Sequence, residues 1–154
     1  AAARVAGVRR LDYVRHAVWE FAGHAPPVMS VSADGREIAC GERGLLILAN
    51  SRHYAARLNP CGAAKSDDGL LDGLFVPCGG RLGLAAAAAK IAAGALMRIR
   101  GGRRFQAASA RVVLAVPHAA QQLDGETVAA SASQDAMELA IGMYAKKLRV
   151  LVPG

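Results

Sequence analysis

Short apolar segments, separated by turns rich in glycine and aspartate, make up most of this chain. Short apolar runs, whether alternating with polar residues or continuous, are typical of strands. We predict strands over Val28–Ala33, Arg36–Cys40, Gly44–Ala49, Leu70–Pro77, Phe105–Val116, Ala136–Ile141 and Leu148–Val152. Asp34-Gly35 predicts a hairpin between the first two strands, because this dipeptide favours the tight turn that joins antiparallel strands. A second hairpin is predicted over Gln121–Ala130, around Asp124-Gly125.

Two further segments have a helical pattern. Apolar residues recur at helical spacing over Leu11–Phe21, before Pro26-Pro27, which cannot continue a helix. The alanine-rich segment Leu82–Arg100 favours a helix, and Gly101-Gly102 is its predicted stop. Strands therefore outnumber helices, and we predict a mainly β fold of the α+β class, an antiparallel β-sandwich with two flanking helices.

Chain length and composition indicate one folded domain. The 154 residues contain neither an internal repeat nor a long linker, so residues 1–154 are predicted to be a single domain. An apolar content of 53% argues against a disordered chain. The most apolar window, Leu82–Met97, is shorter than the ~20 residues that cross a bilayer and contains Lys90. No secretory signal is visible, and we predict a cytoplasmic protein.

The net charge of +7 predicts an acidic partner, which can be a nucleic acid, an anionic lipid or a nucleotide phosphate. Nucleic acid is disfavoured, because aromatic residues are only 5% of the chain and form no base-stacking pattern. An evenly solvated basic surface is the structural alternative. The three cysteines form no close pair and the four histidines are scattered, which argues against a disulfide framework and a zinc site.

Two acidic turns carry the most specific pattern of the chain. The first lies in the segment Lys65–Asp72 (KSDDGLLD), and the second in Leu123–Glu126 (LDGE). With the closing segment Leu148–Pro153, this ordered pair resembles the C-terminal half of bacterial diacylglycerol kinases and of the related sphingosine-kinase-like lipid kinases. The resemblance runs from Leu11 to Pro153 and implies an ATP-dependent lipid kinase. Members of that family have two domains, and the Gly-Gly-Asp-Gly-Thr nucleotide loop of the first domain does not occur in this chain.

The resemblance assigns a catalytic role to the second acidic turn. It implies that Asp124 is the general base, which takes the proton of the lipid hydroxyl as that hydroxyl attacks the γ-phosphate of ATP. Glu126 lies two residues further on, a spacing that puts both side chains on the same side of a strand, and it is expected to bind nucleotide or Mg²⁺. The alternative is an ordinary Asp-Gly hairpin with two solvated acids.

The resemblance also implies a structural Mg²⁺ site in the first acidic turn. Its ligands are the carboxylate of Asp68 and the main-chain carbonyls of Lys65 and Leu70, and hard oxygen ligands of this kind suit Mg²⁺. The sequence departs from the family pattern upstream, because Pro60 is followed by Cys61–Ala64, which contains no acid. We therefore expect weaker metal binding here than in the family.

Arginines cluster after the alanine-rich segment, at Arg98, Arg100, Arg103 and Arg104. They either complement the dipole of the predicted helix or contact phosphate or a membrane surface.

The partners implied are a lipid substrate, ATP and Mg²⁺ as cofactors, and an N-terminal nucleotide-binding domain of the same protein. Peripheral contact with a membrane and a homodimer are both compatible with this interpretation. Two other hypotheses stay open. One is a non-enzymatic β-sandwich that binds lipid or protein, and the other is the second domain of an NAD kinase, which fits the paired turns less well.

Overall fold

A computed structural model describes residues 23–51, 60–92, 99–115, 122–123, 126–127 and 136–144. These residues form eight strands and one helix. In chain order they are β1 (Val28–Ala33), β2 (Arg36–Ala49), β3 (Leu71–Pro77), α1 (Arg81–Ala92), β4 (Arg103–Ala107), β5 (Ser109–Leu114), β6 (Gln122–Leu123), β7 (Glu126–Thr127) and β8 (Met137–Gly142). The helix predicted over Leu11–Phe21 and the strand predicted over Leu148–Val152 lie outside the described residues.

Six of the strands form one antiparallel sheet in the order β4-β3-β2-β1-β5-β8. Strands β6 and β7 pair separately as a short antiparallel hairpin. The prediction of a mainly β, antiparallel fold is confirmed. Among the described residues, no helix is long and apolar enough to cross a membrane.

Strand β2 joins two predicted strands into one of 14 residues. Its first part pairs with β1 and its second part, from Gly44, pairs with β3. Gly41 has φ of +59° and donates its N–H to Ser30 Oγ at 2.9 Å, so the strand changes direction without ending. The residues after Gly44 are half-buried, which corrects the prediction that this segment is buried on both faces.

The segment predicted as one strand over Phe105–Val116 is two strands. Buried positions fall at Phe105 and Ala107 in β4, but at Ala110 and onward in β5, so the alternation shifts by one residue at the exposed Ala108. The carboxylate of Asp34 accepts hydrogen bonds from the N–H groups of Ala108 and Ser109, at 3.0 and 2.9 Å. The turn of the first hairpin thereby holds the turn between β4 and β5.

Strand β3 is the buried centre of the molecule and separates two apolar clusters. Phe75 packs on one face with Val31 and Phe105, while Leu74 and Val76 pack on the other. Helix α1 covers this second face through Leu84 and Ala87, together with Cys61 and Ala64 from the turn before β3. The described part of α1 ends at Ala92 and Ile99 is not helical, so the helix is shorter than the predicted Leu82–Arg100.

Candidate functional site

The first acidic turn leads directly into β3. Asp68 and Lys65 are exposed and Leu70 is half-buried. Asp68 Oδ1 accepts a hydrogen bond from the N–H of Leu70 at 2.9 Å, and Gly69 has φ of +75°. This is an Asx turn, in which an aspartate side chain imitates the backbone and glycine supplies the left-handed conformation. The three residues predicted to bind Mg²⁺ thus lie in one short turn.

The turn fits a sparse Mg²⁺ site. It offers one carboxylate and main-chain carbonyls, and Mg²⁺ accepts a ligand set of this size because it keeps several waters. One carboxylate oxygen of Asp68 is already hydrogen-bonded within the turn. Nowhere in the described ranges do three or more His, Cys, Asp or Glu side chains come together as a metal site. A metal here would depend on Asp68 as its one side-chain ligand.

The segment upstream of this turn is packed as part of the core. The N–H of Ala64 donates to the carbonyl of Cys61 at 2.9 Å, and both residues are buried against Leu74 and Val76. The sequence departure at Cys61–Ala64 therefore has a structural counterpart, an apolar turn under β3.

The second acidic turn is described only by its flanking strands. Leu123 in β6 pairs with Glu126 in β7, so Asp124 and Gly125 are the residues that connect the two strands. Asp124, the predicted base, lies outside the described residues, and Glu126 is the first residue of β7. The predicted hairpin is thus observed as paired strands.

A buried acid that the sequence interpretation passed over lies in β3. Asp72 is only 6% exposed, and Gln106 Nε2 on the neighbouring strand β4 donates a hydrogen bond of 3.2 Å to its Oδ1. Its Oδ2 is buried, and no group among the described residues donates to it. The sequence contained a signal for this position, because Asp72 is the one charged residue within the apolar run Leu70–Pro77.

Asp72 lies in the wall of a cleft of about 390 Å³ between the turn before β3 and the strands β3 and β4. The lining residues are Arg36, Pro60, Cys61, Gly62, Ala63, Asp72, Gly73, Arg104, Phe105 and Gln106. Arg36 and Arg104 are exposed, and within the described residues neither guanidinium is hydrogen-bonded or ion-paired. The cleft therefore combines one buried carboxylate with two available cations.

Cys61 closes one side of this cleft and is unsuited to nucleophilic chemistry. Its thiol donates to the main-chain carbonyl of Asp72 at 3.5 Å. Burial, and after it the charge of Asp72, raise the pKa of Cys61 to about 11, although the charge of Arg104 acts in the opposite direction. Because the thiolate is the nucleophile, a thiol with this pKa serves packing at neutral pH.

Within the predicted arginine cluster, Arg103 has partners of its own on β2. Arg103 donates to both carboxylate oxygens of Glu42 and to the carbonyl of Ile38, and its guanidinium lies 5.4 Å from the ring centre of Phe75. It therefore ties β4 to β2. Arg100 and Arg104 are exposed, and Arg98 lies outside the described residues. The interpretation of these arginines as helix-dipole partners is wrong for Arg103 and Arg104, which belong to β4.

Comparisons with known proteins agree with this architecture. Residues 1–145 match the family model described as the YegS C-terminal NAD kinase beta sandwich-like domain. No curated protein matches this chain. A crystal structure of a "putative diacylglycerol kinase" from Bacillus anthracis str. Sterne is similar, with a TM-score of 0.56 and 16% identity over 82% of this chain and 39% of that one. A second structure of a protein described in the same words, from the same organism, has a TM-score of 0.51 and 15% identity over 84% and 41%.

The two kinds of match support different statements. At 15–16% identity, the solved structures establish a shared fold. The chain spans about two fifths of their length. The family model covers most of this chain. The chain belongs to the family of YegS C-terminal, NAD kinase beta sandwich-like domains.

Proposed function

We propose that this chain is the lipid-binding and catalytic-base domain of an ATP-dependent lipid kinase. The reaction is the transfer of the γ-phosphate of ATP to the hydroxyl of a diacylglycerol-like lipid. The observation that carries the proposal is the family match over residues 1–145, which includes the β6–β7 hairpin around Asp124. The basic charge of +7 agrees with a domain that works against phosphate and an anionic membrane surface.

In this proposal Asp124 performs the proton transfer. Its carboxylate accepts the proton of the lipid hydroxyl while the hydroxyl oxygen forms a bond to the γ-phosphorus. The bond between that phosphorus and the bridging oxygen breaks, and ADP leaves. A carboxylate within hydrogen-bond reach is suited to this step, since phosphoryl transfer depends mostly on positioning and charge stabilisation. Glu126, on the strand after the turn, assists by binding nucleotide or Mg²⁺.

Mg²⁺ supplies charge neutralisation when it is bound, and the acidic turn before β3 would hold a separate structural ion. Asp68 would contribute its carboxylate, and Lys65 and Leu70 their main-chain carbonyls. ATP would be bound mainly by an N-terminal nucleotide-binding domain, with this chain providing the lipid side of the site. We place the protein in the cytoplasm with peripheral contact to the membrane, and a homodimer is compatible with this arrangement.

The test is a phosphorylation assay with diacylglycerol in mixed micelles and radiolabelled ATP, using the full-length protein that contains this domain. We expect labelled phosphatidic acid that depends on both lipid and Mg²⁺. We also expect the 154-residue chain alone to be inactive and to bind ATP weakly, because it contains no glycine-rich phosphate loop. Full-length protein that binds ATP but labels neither diacylglycerol nor a sphingoid or ceramide lipid would refute the proposal.

One observation favours a second function, a non-enzymatic binding module. The cleft beside Asp72 is formed by residues of this domain alone, so its formation does not require a nucleotide-binding partner. A Gly-Gly-Asp-Gly-Thr segment encoded upstream in the same reading frame would favour the kinase. A protein without this segment that still binds lipid vesicles would favour the binding module.

A further inference from the structure

Asp72 is placed where a carboxylate requires a hydrogen-bond donor that the described residues do not supply. Strand β3 is otherwise apolar, and six of its seven residues, Asp72 among them, are buried. Gln106 Nε2 satisfies Oδ1, and Oδ2 is buried with no donor among the described residues. Buried polar atoms without partners are rare, and each one calls for an explanation. Asp72 also lines the cleft between the turn before β3 and strands β3 and β4, so a ligand bound there would lie beside this carboxylate.

The charges around the cleft restrict what that donor can be. Arg36 and Arg104 line the same cleft, and neither is paired within the described residues. By contrast, Arg103 and Arg111 are paired with Glu42 and Glu138. An ammonium ligand would satisfy Asp72 but would be repelled by two guanidinium groups. A simple anion would satisfy the arginines but would leave the carboxylate without a donor.

We propose that this cleft binds a phosphate ester that carries a free hydroxyl group, of which glycerol phosphate is the simplest example. The ligand hydroxyl donates to the Asp72 carboxylate, and the ligand's phosphate oxygens accept from Arg36 and Arg104, a pairing that guanidinium groups favour. The volume of about 390 Å³ suits a small polar group of this size. The group can come from a soluble ester or from the headgroup of phosphatidylglycerol, which contains the same glycerol phosphate unit.

The binding experiment uses pairs of ligands that differ by the hydroxyl groups. Calorimetry on the 154-residue chain would compare glycerol 3-phosphate with n-propyl phosphate, which lacks the hydroxyls. A parallel arm would compare phosphatidylcholine vesicles that contain phosphatidylglycerol with vesicles that contain phosphatidylpropanol, which keeps the phosphodiester charge and lacks the two hydroxyls. We expect the hydroxyl-bearing partner to bind about tenfold more tightly in the arm that matches the natural source, the factor that one hydrogen bond to a charged group supplies.

Three variants separate the contribution of Asp72 from that of Arg104 and from the effect of net charge. Asp72→Asn should reduce the hydroxyl preference to about twofold or less, because the amide NH2 that replaces one carboxylate oxygen cannot accept a hydrogen bond from the ligand hydroxyl. Arg104→Gln should weaken hydroxyl-bearing and hydroxyl-free esters alike by about tenfold, because it removes a charge-assisted hydrogen bond to phosphate. Arg81→Gln is the control, since Arg81 is exposed at the start of α1 and does not line the cleft. It removes the same charge and should leave binding unchanged.

A preference confined to vesicles would support the proposal and identify a lipid headgroup as the source. Absence of a hydroxyl preference in both arms would overturn it, as would a preference that survives Asp72→Asn. Equal loss in Arg104→Gln and Arg81→Gln would also overturn it, because binding would then follow net charge alone. Circular dichroism would establish that each variant is folded. The measurement requires neither ATP nor Asp124, so its failure would leave the proposed kinase reaction untouched.

Discussion

Gln106 on β4 holds only one oxygen of the Asp72 carboxylate on β3, through a hydrogen bond of 3.2 Å from Nε2 to Oδ1. The other oxygen is buried with no donor among the described residues. An arrangement of this kind costs folding stability, because the carboxylate has lost water without gaining a full set of partners. A buried carboxylate in this state is better explained by ligand binding than by packing.

Replacing Asp72 should therefore stabilise the fold. Asp72→Asn keeps the size of the side chain and an oxygen that can accept from Gln106, but it removes the buried charge. We expect the free energy of unfolding to rise by about 1 kcal/mol, measured by urea denaturation at pH 7. Gln106→Leu is the matched variant, and it should lower stability because it leaves both oxygens of Asp72 without a donor. A clear loss of stability in Asp72→Asn would show that the carboxylate has a structural partner.

The hydrogen bonds that Asp34 accepts should make the stability of the fold depend on pH. One substitution can isolate this contribution. Hydrogen bonds from the N–H groups of Ala108 and Ser109 hold the pKa of the Asp34 carboxyl below its ordinary value of 3.8. A depressed pKa means that the carboxylate stabilises the fold above the unfolded value of 3.8. This contribution is lost as the pH falls through the lower, folded pKa.

The measurement is the melting temperature of Asp34→Asn against the unsubstituted protein across acid pH. Asparagine tolerates the positive φ of 46° at this position, but its amide nitrogen cannot accept from an N–H. The variant should melt lower at pH 6, and the gap should close as the pH approaches 2. Glu42 and Glu138 also have a depressed pKa, because of Arg103 and Arg111, but they titrate in both proteins. A gap that stays constant from pH 6 to pH 2 would contradict the assignment.

The Mg²⁺ site in the first acidic turn can be tested without disturbing the turn itself. Asp68→Asn keeps an oxygen that can accept from the N–H of Leu70, so the Asx turn and the melting temperature without metal should persist. What it loses is the one negative ligand. We expect millimolar Mg²⁺ to raise the melting temperature of the unsubstituted protein and to have little effect on Asp68→Asn. Equal stabilisation of both proteins would place the metal elsewhere.

Much of the fold could be predicted from local sequence patterns. The Asp34-Gly35 hairpin, strand β3 and the alanine-rich helix follow from turn chemistry and apolar periodicity, which act over a few residues. Two boundaries could not be predicted in this way. The continuity of β2 depends on a pairing partner that changes at Gly44, and the break at Ala108 depends on a carboxylate 74 residues earlier in the chain. Such contacts between distant residues are not encoded in the local pattern.

The candidate site was likewise predictable where it depends on local sequence, and not where it depends on contacts between distant residues. The pairing of β6 with β7 around Asp124 was predictable, because an Asp-Gly dipeptide between strand-like segments favours a hairpin. Asp72 was visible as a charge within an apolar strand, yet its meaning depends on Gln106, Arg36 and Arg104, which come from distant parts of the chain. Arg103 looked available for phosphate in the sequence, but its contact with Glu42 requires β4 to lie against β2.

Asp124 is the proposed base of a lipid kinase, and one substitution in the full-length protein tests this role most directly. Asparagine has nearly the size and the turn preference of aspartate, so the hairpin and ATP binding should be preserved. It cannot take a proton, and general-base catalysis typically contributes 10²- to 10⁴-fold. Glu126→Gln is the companion variant, and it should act mainly on the apparent affinity for Mg·ATP.

The decisive measurement is kcat for diacylglycerol phosphorylation in mixed micelles, for the unsubstituted protein and for Asp124→Asn. We predict a loss of about 10²-fold or more in Asp124→Asn, with ATP affinity and melting temperature nearly unchanged. Turnover by Asp124→Asn at the unsubstituted rate would show that Asp124 is not the base.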